Sequence, residues 1–445
     1  MTELWQKPGA LGPDAEMMRF TVGDDRAVDA VLLPFDVRAS VAHVRGLGRI
    51  GVLSPIDAER LAASLVDVGR TFERGDLTID ERFEDGHSAL EHALVERLGD
   101  LGKRVHTGRS RNDQVQVALR LYAMDRLSTA RARIAAAAEV LLARAAADER
   151  TPMPGYTHLK RAVPSSVGLW LAGIAEGLID DLELVGAAEA FASASPLGTG
   201  AGFGVNLALD REGVARELGF ARVAWNPMNV QNARGKTELV VLGALESALL
   251  DARRFAWDLS FFVNEELGFA ALPDEFTTGS SLMPNKRNPD AAELLRAAYA
   301  SVLGARTEIA ATLSLPSGYH RDLQRTKSAF VRGVEGALAA LSIFARLAGA
   351  FTLDPARMRA CIDGPMFATD RALELARAGT LFRDAYREVG VAVRSGASAP
   401  ADDVEASLAA RVSPGACADL RLDEMRRRLT TLRRGAGSSA EGGVR

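Results

Sequence analysis

Thr278 to Asp290 (Thr-Gly-Ser-Ser-Leu-Met-Pro-Asn-Lys-Arg-Asn-Pro-Asp) is the stretch with the densest reactive chemistry in this 445-residue chain. It is too rich in Gly, Ser, Asn and Pro for helix or strand, so it reads as a loop. Asn288 is expected as the N-cap and Pro289 as the first residue of the helix that follows. The loop would then bring two hydroxyls, Ser280 and Ser281, and the Lys286 ammonium beside a helix N-terminus, where backbone N–H groups favour an anion. The bland reading is a connector with a well-made cap, but long loops inside compact domains are often functional. The chain has only six histidines: 43, 87, 92, 106, 158 and 320. His158 stands out because it lies in a polar break, 152–164, between two helical runs, where a side chain can face a cleft. His87 with Glu84 and Glu91, and His92 with Glu96, have helical metal-ligand spacing, but they read more simply as a solvated helix face. No metal site is expected.

Two further polar stretches are cationic. In 104–113, Arg109 and Arg111 flank Ser110 and precede Asn112; arginine binds carboxylates in bidentate fashion. In 316–327, Tyr319, Gln324 and Lys327 recur at spacings that suit a binding segment. Taken singly, the two arginines equally suit a solvated turn and Tyr319 a half-buried packing position.

The elements that must position these groups are helical. Residues 1–25 read as mostly irregular, and 27–105 as several short helices, one starting at Ser54-Pro55-Ile56-Asp57. Asp113 is placed to cap a long helix in which Val117, Leu121, Met124, Leu127, Ala130 and Ile134 recur at helical spacing. Further long runs cover about 165–194, 236–265, 289–313 and 327–351, with a Gly-rich break at 195–204. In the last run Val331, Val334, Leu338 and Leu341 form a seam spaced by threes and fours. Five long helices separated by polar breaks predict an all-α bundle. Three domains are expected: an N-terminal helical domain at 1–112, a central long-helix bundle at 113–351, and a small helical domain at 352–445. Ser395 to Pro400 reads as a linker and 433–445 as a disordered tail.

Composition excludes several classes. With 54 basic and 58 acidic residues the net charge is −4, which gives no electrostatic case for nucleic acid or an anionic membrane surface. No apolar run is expected to reach membrane-spanning length. Met1-Thr2-Glu3-Leu4 opens without a basic or apolar leader. The two cysteines, Cys361 and Cys417, have neither metal-ligand nor redox spacing and suit a reducing compartment. The expectation is a cytoplasmic protein.

The motifs together resemble one family. Gly-Ser-Ser-x-Met-Pro-x-Lys-x-Asn-Pro in the loop resembles the signature of the fumarase/aspartase superfamily. Thr107-Gly108-Arg109-Ser110-Arg111-Asn112-Asp113-Gln114-Val115 and Met153-Pro154-Gly155-Tyr156-Thr157-His158-Leu159 resemble its other two regions in their argininosuccinate lyase form. Residues 319–327 resemble that family's Tyr-x-x-Asp-x-Gln-x-x-Lys segment. The resemblance runs in order over roughly 17–390. It implies the three-domain superfamily fold with a 20-helix core in a homotetramer, active sites shared between subunits, a small-molecule substrate, and no cofactor. It implies β-elimination of argininosuccinate to arginine and fumarate. Ser280 would be the base and His158 the acid, with Glu293 holding the imidazole and Lys286 and Asn288 stabilising the dianionic intermediate. Arg109, Ser110, Arg111, Asn112, Thr157, Ser281, Met283, Tyr319, Gln324 and Lys327 would bind substrate. The chain departs from the family pattern at Lys160, where Gln is commoner, at the short segment 20–26, and at 225–238. A lyase acting on another N-substituted aspartate, or a crystallin-like structural protein of the same fold, are the alternative readings.

Overall fold

The computed structural model describes residues 14–395 and 403–433. Most of the expected linker and tail, and residues 1–13, lie outside the described residues. The rest is mostly helical. In chain order the helices are α1 (Ala15–Val22), α2 (Asp25–Arg49), α3 (Pro55–Glu73), α4 (Gly86–Leu98), α5 (Arg111–Ala147), α6 (Val167–Ala192), α7 (Arg211–Glu217) and α8 (Pro227–Asn232). They continue as α9 (Lys236–Phe262), α10 (Asp290–Thr312), α11 (Thr326–Ala350), α12 (Pro355–Ala360), α13 (Ala368–Arg377), α14 (Phe382–Arg394), α15 (Val404–Ala410) and α16 (Leu422–Arg433). The five long helices α5, α6, α9, α10 and α11 occupy the five predicted runs. Residues 15–22 are helical rather than irregular. Asp14 accepts hydrogen bonds from the Glu16 and Met17 amides, and Gly23 ends the helix in the left-handed region at φ 54°, which only glycine adopts readily.

Four two-stranded pairs accompany the helices among the described residues. The two that matter here are β1 (Pro152–Thr157) with β2 (Lys160–Ser166), and a short stem, Thr278–Gly279 with Arg287–Asn288. Both polar breaks singled out in the sequence are therefore hairpins. Three prolines in 152–164 hide the first one, because proline argues against a strand.

The chain divides into two compact units, each with its own core. The first contains 1–129, 187–245 and 301–336. Within it α2, α3 and α4 bury Leu33, Val44, Leu47, Leu61, Leu65, Leu90 and Leu94. At the α2–α3 crossing a Cβ on Gly48 would stand 2.8 Å from that of Ala58, so glycine is required for the approach. The second unit contains 130–186, 246–300 and 337–445. Its core holds an aromatic group in which Trp170 stacks on Phe255 and meets Phe262 edge-on. The indole N–H of Trp170 donates to Asp258 at 2.9 Å. A separate cluster of Ile362, Met366, Phe367, Val404, Leu408 and Cys417 supports the C-terminal helices.

One segment, Arg321–Ala350, is long and apolar enough to cross a membrane by length and composition alone. Its apolar side chains Phe330, Val334, Leu338, Leu341, Phe344 and Leu347 are buried in the protein, as in a core helix.

Candidate functional site

His158 and Leu159 form the two-residue tip of the β1–β2 hairpin, between the facing residues Thr157 and Lys160. Both tip residues are left-handed, at φ 53° and 56°. Two-residue hairpin loops with both φ positive normally carry Asn-Gly. A non-glycine residue there costs about 1–2 kcal/mol, and such strain collects at functional sites. Thr157, His158, Leu159 and Lys160 are all exposed. Behind the tip, Tyr156 meets Phe261 edge-on with ring centroids 5.5 Å apart.

The loop at 278–290 is held at its base by the pairs Thr278–Asn288 and Gly279–Arg287. An ion pair between Arg287 and Asp274 and a hydrogen bond from the Thr278 hydroxyl to Asp290 brace the stem. Seven residues, 280–286, form the tip. The Ser280 hydroxyl oxygen accepts hydrogen bonds from the backbone amides of Met283, at 3.0 Å, and Leu282, at 3.3 Å. Ser281, Met283 and Lys286 are exposed around it, and the Lys286 amide donates to the Met283 carbonyl at 3.1 Å. The helix beyond starts one residue later than expected. The Pro289 carbonyl accepts from the Ala292 and Glu293 amides, so Pro289 holds the N-cap position and Asn288 closes the stem. Glu293 lies in the first turn of α10 and pairs with Arg296 at 3.3 Å. Among the described residues no hydrogen bond joins Glu293 to His158 within the chain.

In the first unit the turn at 107–113 is a capping box rather than an Asp113 cap. The Ser110 hydroxyl accepts from the Asn112 amide at 3.2 Å, and Asp113 accepts from the Ser110 amide at 2.9 Å, so Ser110 is the cap. The other Asp113 oxygen accepts from the Gly198 and Gly200 amides at 3.0 and 2.9 Å. Asp113 therefore ties the Gly-rich break 195–204 to the cationic turn. Burial pushes this carboxyl up to about 6, against the pull of those amides.

The arginines of the turn do not stand free. Arg109 is 7% exposed and donates to the Ser40 hydroxyl at 2.9 Å, beside the buried Asp36. Its Nε is buried without a hydrogen-bond partner. Arg111 donates to Asp85 at 2.9 Å, Glu84 at 3.3 Å and Ser88 at 3.0 Å, with 30% of its side chain exposed. Ser110 and Asn112 are half-buried. Nor is His87 on a solvated face. Its Nδ1 lies 2.7 Å from Asp36 Oδ2, and Gln114 donates to the same carboxylate. Burial lowers the His87 pKa, but Asp36 and Asp85 outweigh it and the imidazole is held above its usual range. Only His92, paired with Glu96 at 3.1 Å, keeps the surface position expected of both.

Lys327 is buried, with its ammonium 2.7 Å from Asp29 and 3.1 Å from Asp25. Burial pushes the ammonium down, but the two carboxylates outweigh it and the group is held above its ordinary range. Asp25 is pushed up to about 6 by burial, with Lys327 opposing. Lys327 is thus paired with two carboxylates of α2. Gln324 donates to the Thr21 carbonyl at 2.5 Å. Tyr319 is 36% exposed, with the Arg234 guanidinium 5.6 Å from its ring. Sequence reasoning missed Asp25, Asp29, Asp85 and Arg234, and placed Glu84 only beside His87. A buried lysine requires acidic partners, yet nothing local points to residues some 300 positions away.

A lyase family model matches residues 13–304. The argininosuccinate lyase of Sorangium cellulosum is 53% identical over 96% of this chain and 98% of its own. That of Stenotrophomonas maltophilia is 50% identical over 96% and 99%. Among solved structures, an EDDS lyase in complex with formate superposes with a TM-score of 0.82 at 23% identity, covering 95% of this chain and 92% of its own. The class II fumarase of Schistosoma mansoni does so at 0.71 and 16%, covering 94% and 95%. Both share the fold.

Proposed function

Because the chain belongs to the argininosuccinate lyase family, we propose that it cleaves argininosuccinate reversibly to arginine and fumarate. A proton leaves the carbon next to a carboxylate, giving a dianionic aci-carboxylate. The guanidino nitrogen then departs and takes up a proton. The observation that carries this reading is the Ser280 oxygen accepting two backbone N–H bonds. A free serine hydroxyl is far too weak a base, but two fixed donors lower the free energy of its alkoxide, and more so once water is excluded. Ser280 is assigned the proton abstraction. Lys286, Asn288 and the N-terminus of α10 face the developing dianion. His158 is assigned the proton donation to the leaving nitrogen. Glu293 would hold its ring from a second copy of the chain.

Thr157, Ser281, Met283, Ser110, Arg111, Asn112, Tyr319 and Gln324 are assigned to substrate. Arg109 and Lys327 would act behind them by fixing the 107–113 turn and the start of α11. The assembly is a cytoplasmic homotetramer. Five long helices from each of four copies would give its 20-helix core, with 113–351 as the central domain between the domains at 1–112 and 352–445. Three copies would complete each site. The proposed steps use only side chains, backbone amides and substrate.

The test is to mix the purified full-length chain with argininosuccinate and follow fumarate by ultraviolet absorbance. Fumarate should appear together with equimolar arginine; no fumarate from the folded protein sinks the proposal. Lys160 beside His158 and the unusual 225–238 segment favour a second reading, elimination from another N-substituted aspartate. Product analysis across several succinyl compounds separates the two, and no turnover of any would leave a structural role.

A further inference from the structure

We infer that Arg161 positions His158, by pinning the strained hairpin tip to the corner at Cys361–Asp363. The inference rests on the reading of His158 as the proton donor. With two non-glycine residues in the left-handed region, the tip does not hold its shape by local preference. Pairing below it is also irregular: the register shifts between Pro154 and Tyr156. Only two facing pairs, Thr157–Lys160 and Tyr156–Arg161, lie between that irregularity and the imidazole.

Both members of the second pair are anchored. Tyr156 packs on Phe261 of α9. Arg161 Nη1 donates to the Cys361 carbonyl at 3.1 Å and lies 3.0 Å from Asp363 Oδ2. Cys361 is the residue that ends α12, and Asp363 precedes the helical turn Gly364–Phe367. A terminal carbonyl and a carboxylate are both natural partners for a guanidinium. One side chain thus clamps the corner between two helical segments and fixes the hairpin arm that carries the tip.

The arrangement separates position from stability. Arg161 and Asp363 are 47% and 41% exposed, and an exposed pair adds only about 0–1 kcal/mol to folding. Misplacing a proton donor by about 1 Å can lower the rate about 100-fold.

The experiment measures kcat, KM and the thermal midpoint of full-length Arg161→Met, Arg161→Lys, Asp363→Asn and His158→Asn on argininosuccinate. Arg161→Met should lose about 10- to 100-fold in kcat with KM within about threefold, and the midpoint should move by no more than about 2 °C. Arg161→Lys should recover part of the loss, since an ammonium reaches one of the two acceptors. If Arg161→Met does not fold, Asp363→Asn decides, with an expected kcat loss of about threefold or more. Wild-type kcat in these variants overturns the inference, and so does a loss of activity that only tracks a lower thermal midpoint. His158→Asn reports on the underlying reading by itself. If it is inactive while Arg161→Met is normal, only the positioning role falls. If it keeps full turnover, the proton-donor assignment falls first.

Discussion

In the proposed reaction, Ser280 is where the chemistry rests on a single atom. Its oxygen is an acceptor to two amides, so the geometry already suits an alkoxide. Ser280→Ala removes the atom those amides address and should lower kcat by about 10³-fold or more, with the circular dichroism spectrum and oligomeric mass unchanged. Lys286→Ala should lower kcat and raise KM together, because the ammonium would meet a carboxylate in both the ground state and the intermediate. Near-normal turnover in Ser280→Ala removes it as the base. The loop residues were legible in the sequence because their types and order are themselves the signal. Arg109 and Lys327 were not. Their types say carboxylate, but whether that carboxylate belongs to a ligand or to α2 depends on contacts far apart in the chain. In the fold Lys327 pairs with Asp29, and Arg109 donates to the Ser40 hydroxyl beside Asp36.

Elements were more legible than their ends. All five long helices followed from apolar periodicity, which reads burial on one face over many residues. Caps depend on single hydrogen bonds, so residue type alone pointed to Asp113 where the reciprocal bonds make Ser110 the cap, and the β1–β2 hairpin was hidden by its prolines. One contact between elements has a measurable consequence. Asp181 on α6 is 2% exposed and faces Asp251 on α9, whose Oδ2 sits 2.6 Å from where a Cβ on Gly177 would be. Burial pushes Asp181 up to about 7, the Ser247 hydrogen bond opposes, and Asp251 adds to the rise. The folded state therefore holds a proton that the unfolded chain, with an ordinary aspartate value of 3.8, has already lost. Stability contributed this way is present at low pH and disappears as pH rises through about 7. Below 6.5 the buried His43 and His106, pushed down to about 3 and about 4 by burial and by Arg109, work in the opposite sense. Between pH 6.5 and 8 those two are still partly protonated in the unfolded chain and offset much of the Asp181 contribution, which is therefore read as the difference between wild type and Asp181→Asn, with His87 acting in the Asp181 direction in both. Between about pH 6.5 and 8 the stability of wild type relative to Asp181→Asn should fall by about 1 kcal/mol. Denaturant titrations of both proteins at several pH values would show it, and an unchanged slope in the variant would place the proton elsewhere.

At the scale of the whole molecule, the chain divides the proposed machinery. Ser280 and His158 sit on separate hairpins, and Glu293 pairs with Arg296 rather than with the imidazole it is expected to hold. If His158 meets Ser280 only across subunits, two inactive variants contain everything needed for activity between them. Ser280→Ala and His158→Asn, each assembled alone, should be silent. Dissociating, mixing and reassembling them in equal amounts should restore activity, because some sites then draw an intact Ser280 from one copy and an intact His158 from another. With random exchange and two independent contributors per site, about one quarter of sites would be intact. Recovered activity should approach that share of wild type, with KM unchanged, since each restored site is native. If both residues came from one copy, every site in every hybrid would carry one lesion and mixing would restore nothing. A silent mixture whose hybrid formation is confirmed by differential tagging would therefore overturn the shared site while leaving the reaction itself in place.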